Sequence, residues 1–330
     1  MLDQALFQTT TWAERRLRAE LEELAPFMAG RLSDWIEDLF EGASLSQAFS
    51  RPSAFPVLPL PWWAEESFAA PDQHRQAELA YSSMGGYLHI RLIDNIMDAD
   101  APGDPRLLPA LNFLSTVFTR PYQEWFPRSH PFWDHFERIW IGTAEVTMQD
   151  ARLAEVDLDL FQTISARKTN AAKIPVAAIC HLHDRLDRLG SWEEFVEAFG
   201  AWHQFQNDLQ SWRRDLATGA TTYLLCEAGR RRLPGEPVAG WLIREGLDWA
   251  MDILQDWMTD LMKLIGPLGS PGLGAYLTHR QEMLYVQTKA VRSGAEAVRR
   301  LTAALKGVTP GPRPAGDDGS GRMRVHRSGR

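Results

Sequence analysis

An all-α fold, a single bundle of about ten helices around a central cavity, is what the sequence predicts, and three observations predict it. Apolar residues recur at steps of three and four through most of the first 305 positions. Alternation with a period of two, bounded by hairpin turns, is almost absent. Helix caps and stops punctuate the chain, yet neither an internal repeat nor a linker divides residues 1–306. One domain is expected there, with a disordered Pro/Gly/Arg-rich tail over 307–330.

Taken in order, residues 11–24 and 29–41 read as amphipathic helices. Ser50–Trp63 holds four prolines and reads as an extended connector. A long helix then runs from Asp72 through "HRQAELAYSSMGGYLHIRLIDNIMDAD" and stops at "APGD". Segments 107–119, 131–154 and 158–189 follow, the last capped by Asp157 or Asp159 and bent at Pro175. Ser191, with Glu194 three residues on, forms a capping box that opens a helix ended by Gly219. Helices over about 238–264 and 272–305 complete the bundle.

The composition, 45% hydrophobic and 24% charged over 330 residues, is that of a globular protein. A balance of 35 basic to 43 acidic residues argues against broad attraction to nucleic acid or anionic lipid. Cys180 and Cys226 lie far apart without CxxC spacing, so a disulfide framework is not expected and a reducing cytoplasm fits. No signal peptide or membrane-spanning run is read; "LIGPLGSPGLGAYLT" is uncharged but broken by Gly and Pro. Thirteen Trp supply either core bulk or the walls of an aromatic pocket.

Three stretches carry chemistry. In "FQNDLQSWRRDLATG", Asn207, Ser211 and Asp215 stand four apart, a ladder about 12 Å long of hard oxygen donors suited to Mg²⁺. In "RLIDNIMDAD", Asp94 and Asp98 share a helix face, with Asn95 and Asp100 beside them. Two such carboxylates repel unless they are exposed or bridged by a cation. In "SARKTNAAKIP", Arg167, Lys168 and Lys173 place positive charge at a helix break, where phosphate can be met. Facing helices of this kind could hold Mg²⁺ against a diphosphate, with basic groups completing the clamp. A dry aromatic cavity behind them would shelter a carbocation. The bland readings are solvated helix faces, a helix end at Asp98–Asp104 and surface ion pairs. His130 with His135, and His181 with His183, have spacings that do not make a metal site on one helix face.

These residues resemble the class I isoprenoid synthases, above all the microbial terpene synthases. "NDLQSWRRDLATG" is similar to their second metal motif, "DNIMD" to a degenerate form of the first, and "RKT", about forty residues before the second motif, to the position of a diphosphate-binding base. "THRQEMLY" offers Arg280 and Tyr285 as a looser match. The resemblance spans about residues 70–300 and implies three Mg²⁺ ions. Asp94 and Asp98 would hold one pair, and Asn207, Ser211 and Asp215 the third. Arg167, Lys168, Lys173 and Arg280 would bind diphosphate, and Tyr81, Tyr87, Trp202, Phe205 and Trp212 would line the cavity. Departures are Asn95 for the second Asp, Asp215 for the commoner Glu, and only 113 residues from Asp94 to Asn207. The expected activity is ionisation of a prenyl diphosphate followed by cyclisation or quenching. Chain-elongating or head-to-head prenyl transfer, and a non-catalytic scaffold of the same fold, are the alternatives. A homodimer stays open.

Overall fold

The computed structural model describes residues 4–97 and 103–307. Among the described residues the chain is helical, with no strand. Helices α1 (Gln4–Leu24), α2 (Pro26–Leu39) and α3 (Leu45–Phe49) lead to α4 (Pro59–Glu66) and α5 (Gln73–Met97). Next come α6 (Ala110–Trp125), α7 (Phe132–Asp150) and α8 (Leu158–Thr163), a 3₁₀ segment (Ser165–Ala172), and α9 (Lys173–Leu182). Then follow α10 (Leu186–Thr218), α11 (Tyr223–Arg231), α12 (Val238–Trp241), α13 (Leu247–Leu268) and α14 (Pro271–Gly307).

Two apolar cores form. One gathers α1, α2, α3 and the inner faces of α5 and α6, around Leu17, Trp35, Tyr81, Leu88 and Leu114. The larger one is built on α4, α7, α9, α10, α13 and α14, around Trp63, Phe132, Ile179, Phe199, Trp202 and Leu254. Helices α5 and α6 serve both, because they close to backbone contact. A Cβ on Gly85 would stand 2.5 Å from Val117, and one on Gly86 2.7 Å from Phe118. Ser82 Oγ reaches across to the Phe118 carbonyl at 2.5 Å. The small residues of α5 thus seat α6.

Buried carboxylates tie the elements together. Glu14 of α1 accepts from the Leu45 and Ser46 backbone N–H groups and so caps α3. Glu65, fully buried in α4, accepts from Arg75 Nε at 2.8 Å and Gln76 Nε2 at 2.7 Å and meets His183 Nε2 at 2.8 Å. Removing such a partner strands a buried charge, which costs more than the bond itself contributes.

Four boundaries depart from the sequence expectation. The proline-rich connector is not wholly extended: α4 begins at Pro59, because prolines in a first turn forgo only N–H groups that lack helical partners anyway. The segment 158–189 is not one helix bent at Pro175. It breaks at Ile164, runs as 3₁₀ from Ser165 to Ala172, and Pro175 lies harmlessly in the first turn of α9. Helix α10 starts at Leu186, so Ser191 lies inside it and caps nothing. The expected helix over 238–264 is interrupted by a π turn at Leu242–Gly246, where the Trp241 ring fills the space a Gly246 side chain would need. Asp157 does cap α8, accepting from Leu160 N, and Gly219 ends α10 with φ 76°. Asp98, Asp100 and the expected tail from 308 onward lie outside the described residues.

Candidate functional site

The 3₁₀ segment is the pivot. It packs between α7 and α10, and its approach to α10 depends on Gly200. A Cβ there would fall 2.4 Å from Thr169 Oγ1 and 3.2 Å from the Ala166 carbonyl. Eight residues is long for 3₁₀ geometry, whose hydrogen bonds are poorer than those of an α-helix. From this segment and the first residue of α9, Arg167 and Lys173 turn to Glu197 and Lys168 turns to Asp150.

Helix α10 supplies one polar wall. Residues 197, 204, 208, 211 and 215 fall on one face at steps of three, four and seven, as Glu197, Gln204, Asp208, Ser211 and Asp215. Asp208 is only 4% exposed, and its Oδ1 accepts from Gln204 Nε2 at 2.9 Å. Burial, then the negative charges of Asp215 and Asp150, push its carboxyl up to about 7 against the pull of Lys168. The single Ser211 hydroxyl proton is within reach of two acceptors, Asp215 Oδ2 at 2.5 Å and the Asn207 carbonyl at 2.9 Å. Asp215 is buried, with Arg214 Nε 3.6 Å away. Asn207, the first rung of the expected ladder, is exposed.

Lys168 faces this wall. Its Nζ lies 2.7 Å from Asp150 Oδ2, at the end of α7. Burial would lower its pKa, but attraction to Asp150, with smaller contributions from Asp94 and Asp208, leaves it raised. The ammonium therefore sits in the field of carboxylates from three helices: α5, α7 and α10. Ser165 Oγ, from the same 3₁₀ segment, donates to Asp150 Oδ1 at 2.6 Å. Asp94 in turn holds Arg91 Nη1 at 2.5 Å. Beside it Asn95 is 1% exposed, and its Oδ1 is buried without a hydrogen-bond partner.

The other expected residues divide. Lys173 and Arg167 both turn to Glu197, Lys173 in a close ion pair and Arg167 at 3.9 Å; Arg167 Nε is buried without a partner. Arg280 is not brought to the cluster. It is 2% exposed, donates to the Pro52 carbonyl at 2.6 Å and to Tyr276 and Gln206, and lies 4.8 Å over the Trp202 ring. Phe199 and Gln206, its neighbours on α10, project to the side away from Asp208. Burial lowers its pKa despite Tyr276, and its donors are spent on the loop before α4. Tyr285 is exposed.

The aromatic set is likewise split between the two cores. Tyr81 belongs to the smaller core, with its hydroxyl on Glu20 at 2.6 Å and Arg16 4.2 Å over its ring. Tyr87 packs on Phe49 nearby. Trp202 and Phe205 belong to the larger core. Trp202 Nε1 donates to the Leu254 carbonyl, and Phe205 lies within 6.1 Å of Phe161, Tyr223, Trp249 and Trp257. Trp212 is half-buried beneath Arg213.

Sequence reasoning gave no role to Asp150, Ser165 or Glu197. Nothing local marks Asp150, an ordinary acid at a helix end, and only the fold carries it to Lys168. Asp208 had a signal in its place beside Asn207, but a strict four-residue spacing extends Ser211 and Asp215 to Asn207 instead.

In kind, the donors fit a hard divalent cation: carboxylates, an amide oxygen and a hydroxyl, one of them an orphaned buried acceptor. Among the described residues, no three His, Cys, Asp or Glu side chains meet as a finished metal site. An ion here would keep water and draw further ligands from a bound phosphate, as Mg²⁺ commonly does. The chain matches no protein-family profile and no curated protein.

Proposed function

We propose that this protein is a Mg²⁺-dependent terpene synthase that ionises a prenyl diphosphate and lets the carbocation cyclise or be quenched. One observation carries the reading. Lys168, on an eight-residue 3₁₀ break, pairs with Asp150 of α7 at 2.7 Å and is drawn more weakly by Asp94 of α5 and Asp208 of α10, so a cation and carboxylates of the two expected metal motifs influence one another. A diphosphate needs both, since its leaving charge must be balanced at departure.

In this reading Asp94 and Asn95 from α5, with Asp98, and Asp208, Ser211 and Asp215 from α10, hold the ion, with Asn207 at the exposed edge. Bound Mg²⁺ would supply charge stabilisation for the departing diphosphate. Lys168, one-third exposed, is the chain's own contact to the same phosphate oxygens. Arg167 and Lys173, already balanced by Glu197, hold the 3₁₀ segment against α10 and orient Lys168. Arg280 anchors the chain before α4. A hydrocarbon end would need a dry aromatic surround, and α10, which carries the acids, also supplies Phe199, Trp202 and Phe205 to the aromatic larger core.

The test is incubation with Mg²⁺ and each prenyl diphosphate from C10 to C25, reading released diphosphate and extractable hydrocarbon together. Product from a single prenyl substrate supports the synthase. Product only when two different prenyl substrates are present would assign prenyl transfer instead. Absence of both, with a folded protein, would leave the scaffold reading.

A further inference from the structure

Helix α14 packs against the rest of the fold along one side. Leu277, Leu284, Thr288 and Ala295 are buried there, and Arg292 and Arg299 pair with Asp252 and Asp248 of α13. Turned away from α13 runs a second apolar line, every step three or four residues. It has Met283 and Val286 at one end, Leu301 and Leu305 at the other, and Ala290, Gly294 and Ala297 between. All seven are exposed, the four large side chains by 38% to 67%. Repeating every eleven residues, at 283, 294 and 305, the line follows the winding of the helix and runs nearly straight for about 33 Å. Continuous exposed apolar surface of this kind marks a contact with another molecule.

Three features of this face fit a second copy of the same chain. Its ends are large and its middle small, so it matches itself about a two-fold axis. In an antiparallel pair Met283 and Val286 lie against the partner's Leu301 and the partner's Leu305, and the small residues let the helices close up. Charge follows the same symmetry. Lys289 and Glu296 flank the line on one edge, seven residues apart. Within the chain Glu296 pairs with Arg300, and Lys289 has no partner among the described residues. With the axis midway between them, each Lys289 stands level with the partner's Glu296, whereas a parallel pair would set like charge on like. Counted from the same axis, the partner's Leu305 arrives level with Arg280, where Ser53, His279, Met283 and Val286 line a hollow of about 470 Å³. The chain's own residues 308–330 offer Val308, Met323 and Val325 as large apolar side chains, too few to cover a line of this length. We infer that the protein is a homodimer, joined by antiparallel pairing of α14 through its exposed face over 283–305.

The experiment is sedimentation velocity on the full chain over a dilution series, with each variant first checked by circular dichroism. Wild type is expected to sediment as a dimer and to dissociate on dilution. L301E and V286E place charge in the paired face and should weaken the dimer at least about thirtyfold. Both sites are exposed in the single chain, so the fold survives them. K289E and E296K should each loosen the dimer by about tenfold or more, and K289E/E296K together should recover near-wild-type affinity. That rescue separates the antiparallel register from any other use of the same face. A wild type that stays monomeric at every concentration overturns the inference. So does a dimer that L301E and V286E leave intact, or one in which combining the two charge reversals restores nothing. None of these readouts involves Mg²⁺, diphosphate or activity, so failure of the proposed chemistry leaves the result standing.

Discussion

The Asp208 carboxyl loses its water on folding and feels the negative charges of Asp215 and Asp150, so its pKa rises from the ordinary carboxylate range near 3.8 to about 7. For an acid shifted upward, the stabilising form is the protonated one. Its contribution is complete below about pH 4 and is lost as pH rises through about 7. A shift near three units corresponds to at most about 4 kcal/mol. Asp208→Asn should therefore raise the stability of the metal-free protein at pH 8 by on the order of 2–4 kcal/mol and leave it little changed at pH 4, as read by urea unfolding. His181 acts with the opposite sign. Burial, then His135 at 2.9 Å and His130, lower its pKa to about 4 from 6.5. Stability it supports above pH 6.5 is lost as pH falls towards 4. His181→Phe should blunt that acid-side fall in Tm, and an unchanged profile would remove the histidine cluster from the explanation.

At the scale of elements, the contact between the 3₁₀ segment and α10 decides whether Lys168 reaches the acids. Gly200→Ala pushes a methyl group into Thr169 Oγ1 and should cost about 1–3 kcal/mol by overpacking, with a matching loss of diphosphate affinity. Thr169→Ala in the same chain removes the struck atom and should restore much of both. Arg280→Met is the counter-case. It strips donors from the Pro52 carbonyl and Tyr276 and should destabilise the fold by about 2–4 kcal/mol, while the surviving folded protein keeps its pyrophosphate affinity in calorimetry.

These elements also show what the sequence could and could not disclose. Helical periodicity, the Gly219 stop and the Asp157 cap were legible because each is a local rule satisfied by neighbouring residues. The break at Ile164 was not: the 3₁₀ segment that follows it seats Ala166 and Thr169 against Gly200, a contact distant in sequence that no local rule announces. The same holds for the site: Ser211 and Asp215 show in the spacing, but whether Asn207 or Asp208 joins them depends on what α10 packs against, and it is Asp208 that is buried. Arg280 looked like an available cation because a sequence shows charge and not the carbonyls that consume it. Nor could Tyr81 and Trp202 be assigned to different cores before α5 and α6 were seen to divide them.

At the scale of the whole molecule, two cores share the α5–α6 pair, and Lys168, paired with Asp150 of α7, is drawn more weakly by Asp94 of α5 and Asp208 of α10. Among the described residues no helix is long and apolar enough to cross a membrane. A ligand that bridges the two helices must stabilise the fold, because it binds only when both are in place. The most direct measurement is the thermal midpoint with Mg²⁺ alone, pyrophosphate alone and both together, for wild type and Asp215→Asn. Both ligands together, at about a hundred times their joint Kd, should add about 2.7 kcal/mol of stability and raise the wild-type midpoint by several degrees, with most of the gain lost in the variant. A midpoint that Mg²⁺ and pyrophosphate leave unmoved, or that moves equally in Asp215→Asn, would contradict a diphosphate site between α5 and α10.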